Sequence, residues 1–516
     1  MDERRGPATI VGGKNELNSF SSTELRADLK RHSIRGGITT LGAQGILFLL
    51  QVVQITVLSR LLSPSDFGLF AMVTAVTGFA MTFKDGGLSM ATIQRSEITH
   101  AQISSLFWIN VLIGLGLAGI VASLAPVLAW FYHEPRLVGL TFAIAFTFVL
   151  AGTTIQHQAL IRREMRFGTL AAIQIVSLTL GVAAAIAAAQ LGAEYWALAV
   201  IPVVQAIAET VMTWICSGWI PGLYRRGTGI RSMLTFGGNL SLASSINYVG
   251  ANFDKVFIGA MLGPTILGLY ERAYRLMILP LSQINGPISA VAIPSLSRIV
   301  DQTECYRTGY LETIQKTMVI TGVGIAFAIA CSDWLIILTL GKQWEESASI
   351  FSVLAIGALL MPLWNSTGWL FITQGRMTEH LAFHLVDTPL KIGFTLLGIQ
   401  WGLFGVCLAV AIRYYLTIPI LFWFVGRRGP VRIRDFYKAM ALPAWSIAWV
   451  LVTVHLYRYL LPYQAPVSLA LPAGMAVSAV AATGSLIALP SGRRFLRSLR
   501  QDLNEILARK KGSIHA

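Results

Sequence analysis

The chain has 516 residues, 54% hydrophobic and 13% charged, with mean hydropathy +0.64 and net charge +15. Soluble domains carry about 25% charged residues, so the soluble classes are excluded and a polytopic membrane protein is predicted. The four cysteines (Cys216, Cys305, Cys331, Cys407) have no close pair, which argues against a disulfide framework or a cysteine metal centre.

Residues 1–35 are polar and basic with no early apolar core, so they read as a cytoplasmic tail, not a cleavable signal peptide. Ser21 and Glu24 have capping-box spacing. Leu25, Leu29 and Ile34 suit either a short helix on the membrane or a solvated tail. A crossing takes about 20 mostly apolar residues. Fourteen such stretches follow: 37–59, 67–92, 102–131, 137–160, 170–191, 195–219, 233–261, 265–298, 316–340, 347–372, 380–400, 403–425, 437–460 and 467–490. Leu262-Gly263-Pro264 and Gln400-Trp401-Gly402 are very short turns between neighbouring crossings. Pro280, Pro287 and Pro294 recur every seven residues in the eighth, where each removes a helix hydrogen bond and permits bending. From Arg493 to Lys511, Phe495, Leu496, Leu499, Leu503, Ile506 and Leu507 recur at helical spacing among arginines. That pattern suits a basic helix on an anionic membrane surface, or a soluble partner.

With the N-terminus inside, the cytoplasmic segments hold thirty Lys/Arg and the outer ones only Arg60, Arg136, Lys342 and Arg458. The cationic bias of cytoplasmic loops therefore places both termini in the cytoplasm.

At an offset of 200 residues, Leu62, Pro64, Gly68 and Leu69 match Leu262, Pro264, Gly268 and Leu269. Both stretches join two crossings on the outer face, so the expected repeat is parallel. The alternative is two unrelated hairpins sharing a Gly/Pro turn. The predicted organisation is a tail (1–35), an N-lobe of six helices (36–225) and a C-lobe of six (226–430). Two C-terminal helices (431–490) and a basic amphipathic tail (491–516) complete it. The fold class is thus all-α, with about fourteen transmembrane helices in two six-helix lobes plus two. Two lobes around a central site are the usual plan of an alternating-access transporter.

Twelve ionisable residues fall inside the crossings: Lys84, Lys255, Arg272, Arg275, Lys391, Arg413, Asp85, Glu209, Asp254, Glu271, Asp333 and Asp387. A charge near the bilayer centre costs roughly 2.5–3.5 kcal/mol, so each needs a partner, water or a ligand. Asp387 and Lys391, four apart, are expected to pair with each other, and Glu271 with Arg275 has the same spacing. Arg275 lies about 15 Å into its helix, near the midplane. Lys84 and Asp85 precede Gly86-Gly87, a potential kink in the second crossing. The candidate substrate-binding residues are Arg272, Arg275, Lys255, Asp254, Lys84 and Arg413. The candidate coupling acids are Asp254, Glu209 and Asp85. Guanidinium grips phosphate oxygens bidentately and never deprotonates, so arginines suit a phosphate-bearing substrate. Proton-coupled export would lean on the acids instead.

His380 and His384 lack the glutamate of the zinc-protease pattern, so no metal is expected. There is no nucleotide-binding phosphate loop and no catalytic triad or carboxylate pair in an outer loop, so no enzyme activity is expected. A glycan polymerase or ligase would need a large outer loop, and no outer loop exceeds about ten residues.

Residues 84–95 (KDGGLSMATIQR), His100-Ala101-Gln102, 106–111 (LFWINV) and 156–167 (QHQALIRREMRF) resemble the polysaccharide transporter family. So, most strongly, does the stretch from Gly268 to Arg298, which contains GLYERAYRLMILP. The resemblance covers about 35–490. It is closest to the branch handling colanic-acid-type and exopolysaccharide repeat units. The superfamily is that of multidrug, oligosaccharidyl-lipid and polysaccharide exporters. It implies two six-helix bundles in a V around a cavity. It also implies transfer of an undecaprenyl-diphosphate-linked oligosaccharide between leaflets of the bacterial inner membrane. Cavity arginines, here Arg272 and Arg275, would bind the diphosphate. Expected partners are the lipid-linked oligosaccharide, membrane lipids, a polysaccharide polymerase and a chain-length regulator, and not nucleic acid. No cofactor is expected, and transport would couple to a proton or sodium gradient. The alternative is a cation-coupled small-molecule antiporter of the same superfamily.

Overall fold

The computed structural model describes residues 22–85, 87–94, 98–224, 231–461 and 466–512. The expectations placed on residues 1–21, Gly86, Arg95, Arg225 and Arg226 lie outside the described residues. So do those on the side chains of Leu25, Leu29, Ile34, Leu503, Ile506 and Leu507. Every regular element among the described residues is helical.

The chain divides into two compact units. The first holds residues 1–62 and 69–252. Its helices are α1 (Ser22–Leu61), α2 (Pro64–Met81), α3 (Leu88–Gln94), α4 (His100–Tyr132), α5 (Leu137–Arg163), α6 (Phe167–Gln190) and α7 (Trp196–Ser217). Within it α4 packs on α5, α5 and α6 on α7, and α1 on α6. Thr99 starts α4 with a capping box: its hydroxyl accepts the Gln102 N–H, and the Gln102 side chain accepts the Thr99 N–H. That capping satisfies two of the N–H groups a helix start leaves open.

The second unit holds 63–68 and 253–516. Its helices are the rest of α8 (Arg231–Arg298), then α9 (Thr303–Ala330), α10 (Ser332–Thr339), α11 (Ser347–Ala358) and α12 (Met361–Thr373). After these come α13 (Met377–Gly398), α14 (Gly402–Gly426), α15 (Ile433–Leu460), α16 (Val467–Ala488) and α17 (Pro490–Gly512). Helix α9 packs on α15, α14 on α11 and α13, and α16 on α15 and α17. In α17, Phe495 is buried with Val319, Leu442 and Leu486, and Leu496 packs beside it.

Twelve stretches of described helix are long and apolar enough to cross a membrane. Two of them, Tyr248–Arg298 and Met377–Gly426, run to 51 and 50 residues. At 1.5 Å per residue each would measure about 75 Å, against roughly 30 Å of hydrocarbon. Each is interrupted by a glycine with positive φ, Gly263 at 85° and Gly402 at 69°. The difference between twelve stretches and fourteen expected crossings lies in these two. The helix after Gly263 runs on through Pro280, Pro287 and Pro294.

Four boundaries differ from expectation. The second crossing was expected at 67–92, but α2 ends at Met81 and Lys84 and Asp85 lie in a break before α3. The Asp85 carboxylate accepts the Ser89 N–H at 3.0 Å and the Ser89 hydroxyl, so it caps α3. The ninth was expected at 316–340, whereas α9 spans Thr303–Ala330 and α10 is separate. Hydropathy marks only the apolar part of a helix. Charged residues extend α9 at its start, with Arg307 paired to Asp435 at 2.9 Å. The tenth, expected unbroken at 347–372, is divided between α11 and α12. Residues 22–35, expected as tail, fall inside α1.

The turn Ser63–Gly68 groups with the second unit, where its counterpart 200 residues later also lies. A Cβ on Gly68 would fall on the carbonyl of Pro264, and one on Gly268 on the carbonyl of Pro64. The equivalent prolines and glycines of the two turns meet reciprocally. Unrelated hairpins have no reason to do so, and the contact accounts for the identities at those positions.

Candidate functional site

In the second unit Gly263 folds α8 into a hairpin, with ψ 176° in a region essentially reserved for glycine. The two arms bring their charges together. Lys255 Nζ lies 2.9 Å from Glu271 Oε2, an ion pair by distance whose angle is outside hydrogen-bond range. Asp254, 3% exposed, accepts from the Tyr270 hydroxyl at 2.5 Å and pairs with Lys391 of α13 at 3.5 Å. Asp387 of α13 pairs with Arg413 of α14, whose guanidinium lies 4.5 Å from the Tyr414 ring centroid.

The expected pairs Asp387–Lys391 and Glu271–Arg275 are therefore replaced. Lys391 reaches Asp254, Asp387 takes Arg413, and Glu271 takes Lys255. Spacing on one helix shows which side chains share a face, whereas partners on other helices decided the pairing. Proline 389 also lies inside α13 between Asp387 and Lys391, and a proline disturbs its own turn.

Three acids and three cations are thereby matched. Among the described residues no carboxylate pairs with the two remaining cations, Arg272 and Arg275. Arg272 lies 4.1 Å over the Phe67 ring, and its buried Nε has no hydrogen-bond partner. Phe67 in turn meets Trp344 edge-on at 5.4 Å. Arg275 is exposed. Its face of the helix continues, at spacings of three and four, through Ile278, Ser282, Asn285 and Ser289. Those four, with Asn365 and Met361 of α12, line a cavity of about 310 Å³. Ser289 is fixed by the Trp369 indole N–H at 3.0 Å. The serine and asparagine lining has no charge, so the sequence offered no signal for it.

Breaking the Asp387–Arg413 pair should be costly, because it strands a charge at a site where Arg413 is 3% and Asp387 7% exposed. We expect Arg413→Ala to lower stability by about 3–5 kcal/mol. The pair Arg413→Met with Asp387→Leu should recover much of that loss. Thermal unfolding of the purified protein in detergent measures both. A double variant no more stable than Arg413→Ala alone would show the pair is not the source.

In the first unit a cavity of about 200 Å³ lies among Lys84, Gln158 of α5 and Gln205, Glu209 and Thr210 of α7. Gln158 donates to Glu209 at 2.6 Å. Among the described residues neither Glu209 nor Lys84 has an ion-pair partner. The neighbouring Gln156 accepts from Thr92 at 2.9 Å, and Arg163 donates to the Thr92 carbonyl at 2.7 Å. This part of the 156–167 stretch thus anchors α3 on α5, while Gln158 faces the cavity. His380 and His384 lie 3.1 Å apart between ring nitrogens, with His380 stacked on Phe371.

Twelve apolar helical stretches, with a matched ion-pair network, two arginines without a carboxylate partner among the described residues, and polar cavities, fit a multi-pass membrane transporter. Residues 57–349, more than half the chain, match the family described as polysaccharide biosynthesis protein, and the chain belongs to that family. It is 26% identical over 424 residues to the lipopolysaccharide biosynthesis protein WzxC of Escherichia coli (strain K12), covering 81% of this chain and 85% of that one. It is also 26% identical over 383 residues to the teichuronic acid biosynthesis protein TuaB of Bacillus subtilis (strain 168), covering 73% and 78%. Among solved structures, the lipid II flippase MurJ in an inward closed conformation superposes with a TM-score of 0.68 at 13% identity. That match covers 87% of this chain and 98% of MurJ, and it shows a shared fold.

Proposed function

We propose that this protein translocates undecaprenyl-diphosphate-linked oligosaccharide repeat units across the bacterial inner membrane by alternating access, for exopolysaccharide, lipopolysaccharide or capsule synthesis. Both termini lie in the cytoplasm, and no glycosidic bond is made or broken. The observation that carries this reading is that, among the described residues, Arg272 and Arg275 pair with no carboxylate while Lys255, Lys391 and Arg413 each do. A diphosphate crossing roughly 30 Å of hydrocarbon needs permanent cations, and guanidinium binds its oxygens bidentately. Family membership, and relatives named for lipopolysaccharide and teichuronic acid biosynthesis, support a glycan cargo. The MurJ-like fold supports a lipid-linked one. A polymerase and a chain-length regulator would act on the delivered units.

Cells lacking the protein should accumulate a lipid-linked oligosaccharide that cannot be labelled from outside, and the wild-type gene should clear it. Polysaccharide loss with no such intermediate would overturn the proposal. So would new glycosidic bonds formed by the purified protein from a lipid-linked donor.

A further inference from the structure

The cavity of the first unit has a chemistry of its own. Its charged members are one carboxylate, Glu209, and one ammonium, Lys84, with the amides of Gln158 and Gln205 and the hydroxyls of Thr154 and Thr210 around them. Glu209 lies eight residues before the end of α7, about 12 Å along that apolar helix, and Lys84 lines the cavity from the break between α2 and α3. An ionisable residue so placed is a functional candidate by default.

Two classes of ligand suit this half-buried carboxylate: a small cation, or hydroxyl groups. The structure separates them. A cation would draw oxygen ligands toward Glu209, yet the nearest amide presents its NH2, with Gln158 Nε2 at 2.6 Å from Glu209 Oε1. The ammonium of Lys84 lines the same space and would repel a cation. Hydroxyls meet no such conflict, since they donate to the carboxylate and the amide oxygens and accept from the ammonium. Pro202 and Ile155 add apolar wall for the C–H face of a ring. A volume of about 200 Å³ is below the ~300–1,000 Å³ of drug-sized pockets, so it suits one ring and not an oligosaccharide.

We infer that this cavity is a sugar-reading site, in which Glu209, held by Gln158, and Lys84 recognise the hydroxyls of one sugar residue of the cargo. This rests on the proposed glycan-lipid function. It adds a specificity site whose chemistry differs from that of Arg272 and Arg275, which suit the diphosphate that every such cargo shares.

The test measures binding of two probes to the purified protein in detergent. One is the lipid-linked oligosaccharide extracted from cells lacking the protein, the other undecaprenyl diphosphate with no sugar. Glu209→Gln keeps the shape and removes the charged acceptor, and Gln158→Leu removes the residue that holds it. Each should weaken binding of the glycan-bearing probe about tenfold, the size of one charge-assisted hydrogen bond, and leave the bare diphosphate probe bound as before. Retained binding of the bare probe shows that the variant is folded. Unchanged affinity for both probes overturns the inference alone, as does equal weakening of both. If sodium or pH dependence of transport is lost while glycan affinity is kept, the cavity is an ion site and the inference fails. A wild-type protein that binds neither probe overturns the proposed function itself.

Discussion

Replacing Arg272 and Arg275 together by alanine is expected to reduce polysaccharide export by at least a hundredfold while the protein still inserts at normal levels. The two guanidiniums stand outside the ion-pair network, so their removal leaves no carboxylate stranded among the described residues. That separates them from Arg413, whose loss exposes Asp387. A hydrogen bond to a charged group contributes about 1.5–3 kcal/mol, so two lost diphosphate contacts amount to roughly 3–6 kcal/mol, or about 10²–10⁴ in binding. Lysine at both positions keeps the charge and loses the planar fork, so partial export is expected, intermediate between wild type and the alanine pair. Export is read as surface polysaccharide, and insertion as protein in the membrane fraction. Wild-type export by a well-expressed alanine pair would remove the diphosphate-binding role. Single replacements should fall between, with Arg272→Ala also losing its contact with the Phe67 ring.

The second large effect concerns the two turns. Valine at Gly68 or Gly268 should leave little folded protein, and alanine at either should destabilise by about 3 kcal/mol or more, beyond the 1–3 kcal/mol typical of overpacking. The obstacle in each case is a proline carbonyl of the other turn. A backbone held by helices on both sides cannot rotate away as a side chain would. Because the contacts are reciprocal, the two alanine variants should be equally affected within experimental error. Gly263→Ala is the informative contrast. Its Cβ would meet nothing within 4 Å, so only the strain of its φ of 85° remains, about 1–3 kcal/mol. Thermal unfolding of the three alanine variants tests the order. Unequal effects at Gly68 and Gly268 would show that the turns are not structurally equivalent.

Much of this organisation is legible in residue order. The break at Gly263 and the identities Pro64/Pro264 and Gly68/Gly268 are visible in the sequence. A turn needs a residue that adopts positive φ, and a close approach needs the absence of a Cβ. The ends of α9 and α2 were less legible. Hydropathy cannot see that charged residues extend one helix, nor that another ends at Met81 with Asp85 beyond it capping the next.

The charges divide along the same line. That Asp254, Lys255, Glu271, Arg272 and Arg275 are unusual follows from sequence alone, because each sits in apolar surroundings where charge is expensive. Their partners do not follow. Lys391 meets an acid 137 positions earlier, Arg413 one 26 positions earlier, and Arg272 stacks on a ring from the first turn. Such contacts depend on which helices become neighbours, and periodicity on a single helix carries no information about that. The Gln158–Glu209 pair, 51 positions apart, is hidden for the same reason. Sequence by itself determined that this is a helical membrane protein with two similar turns and too many charges within apolar stretches. Only the tertiary structure decided which charges neutralise one another, and so which two arginines of the α8 hairpin pair with no carboxylate among the described residues.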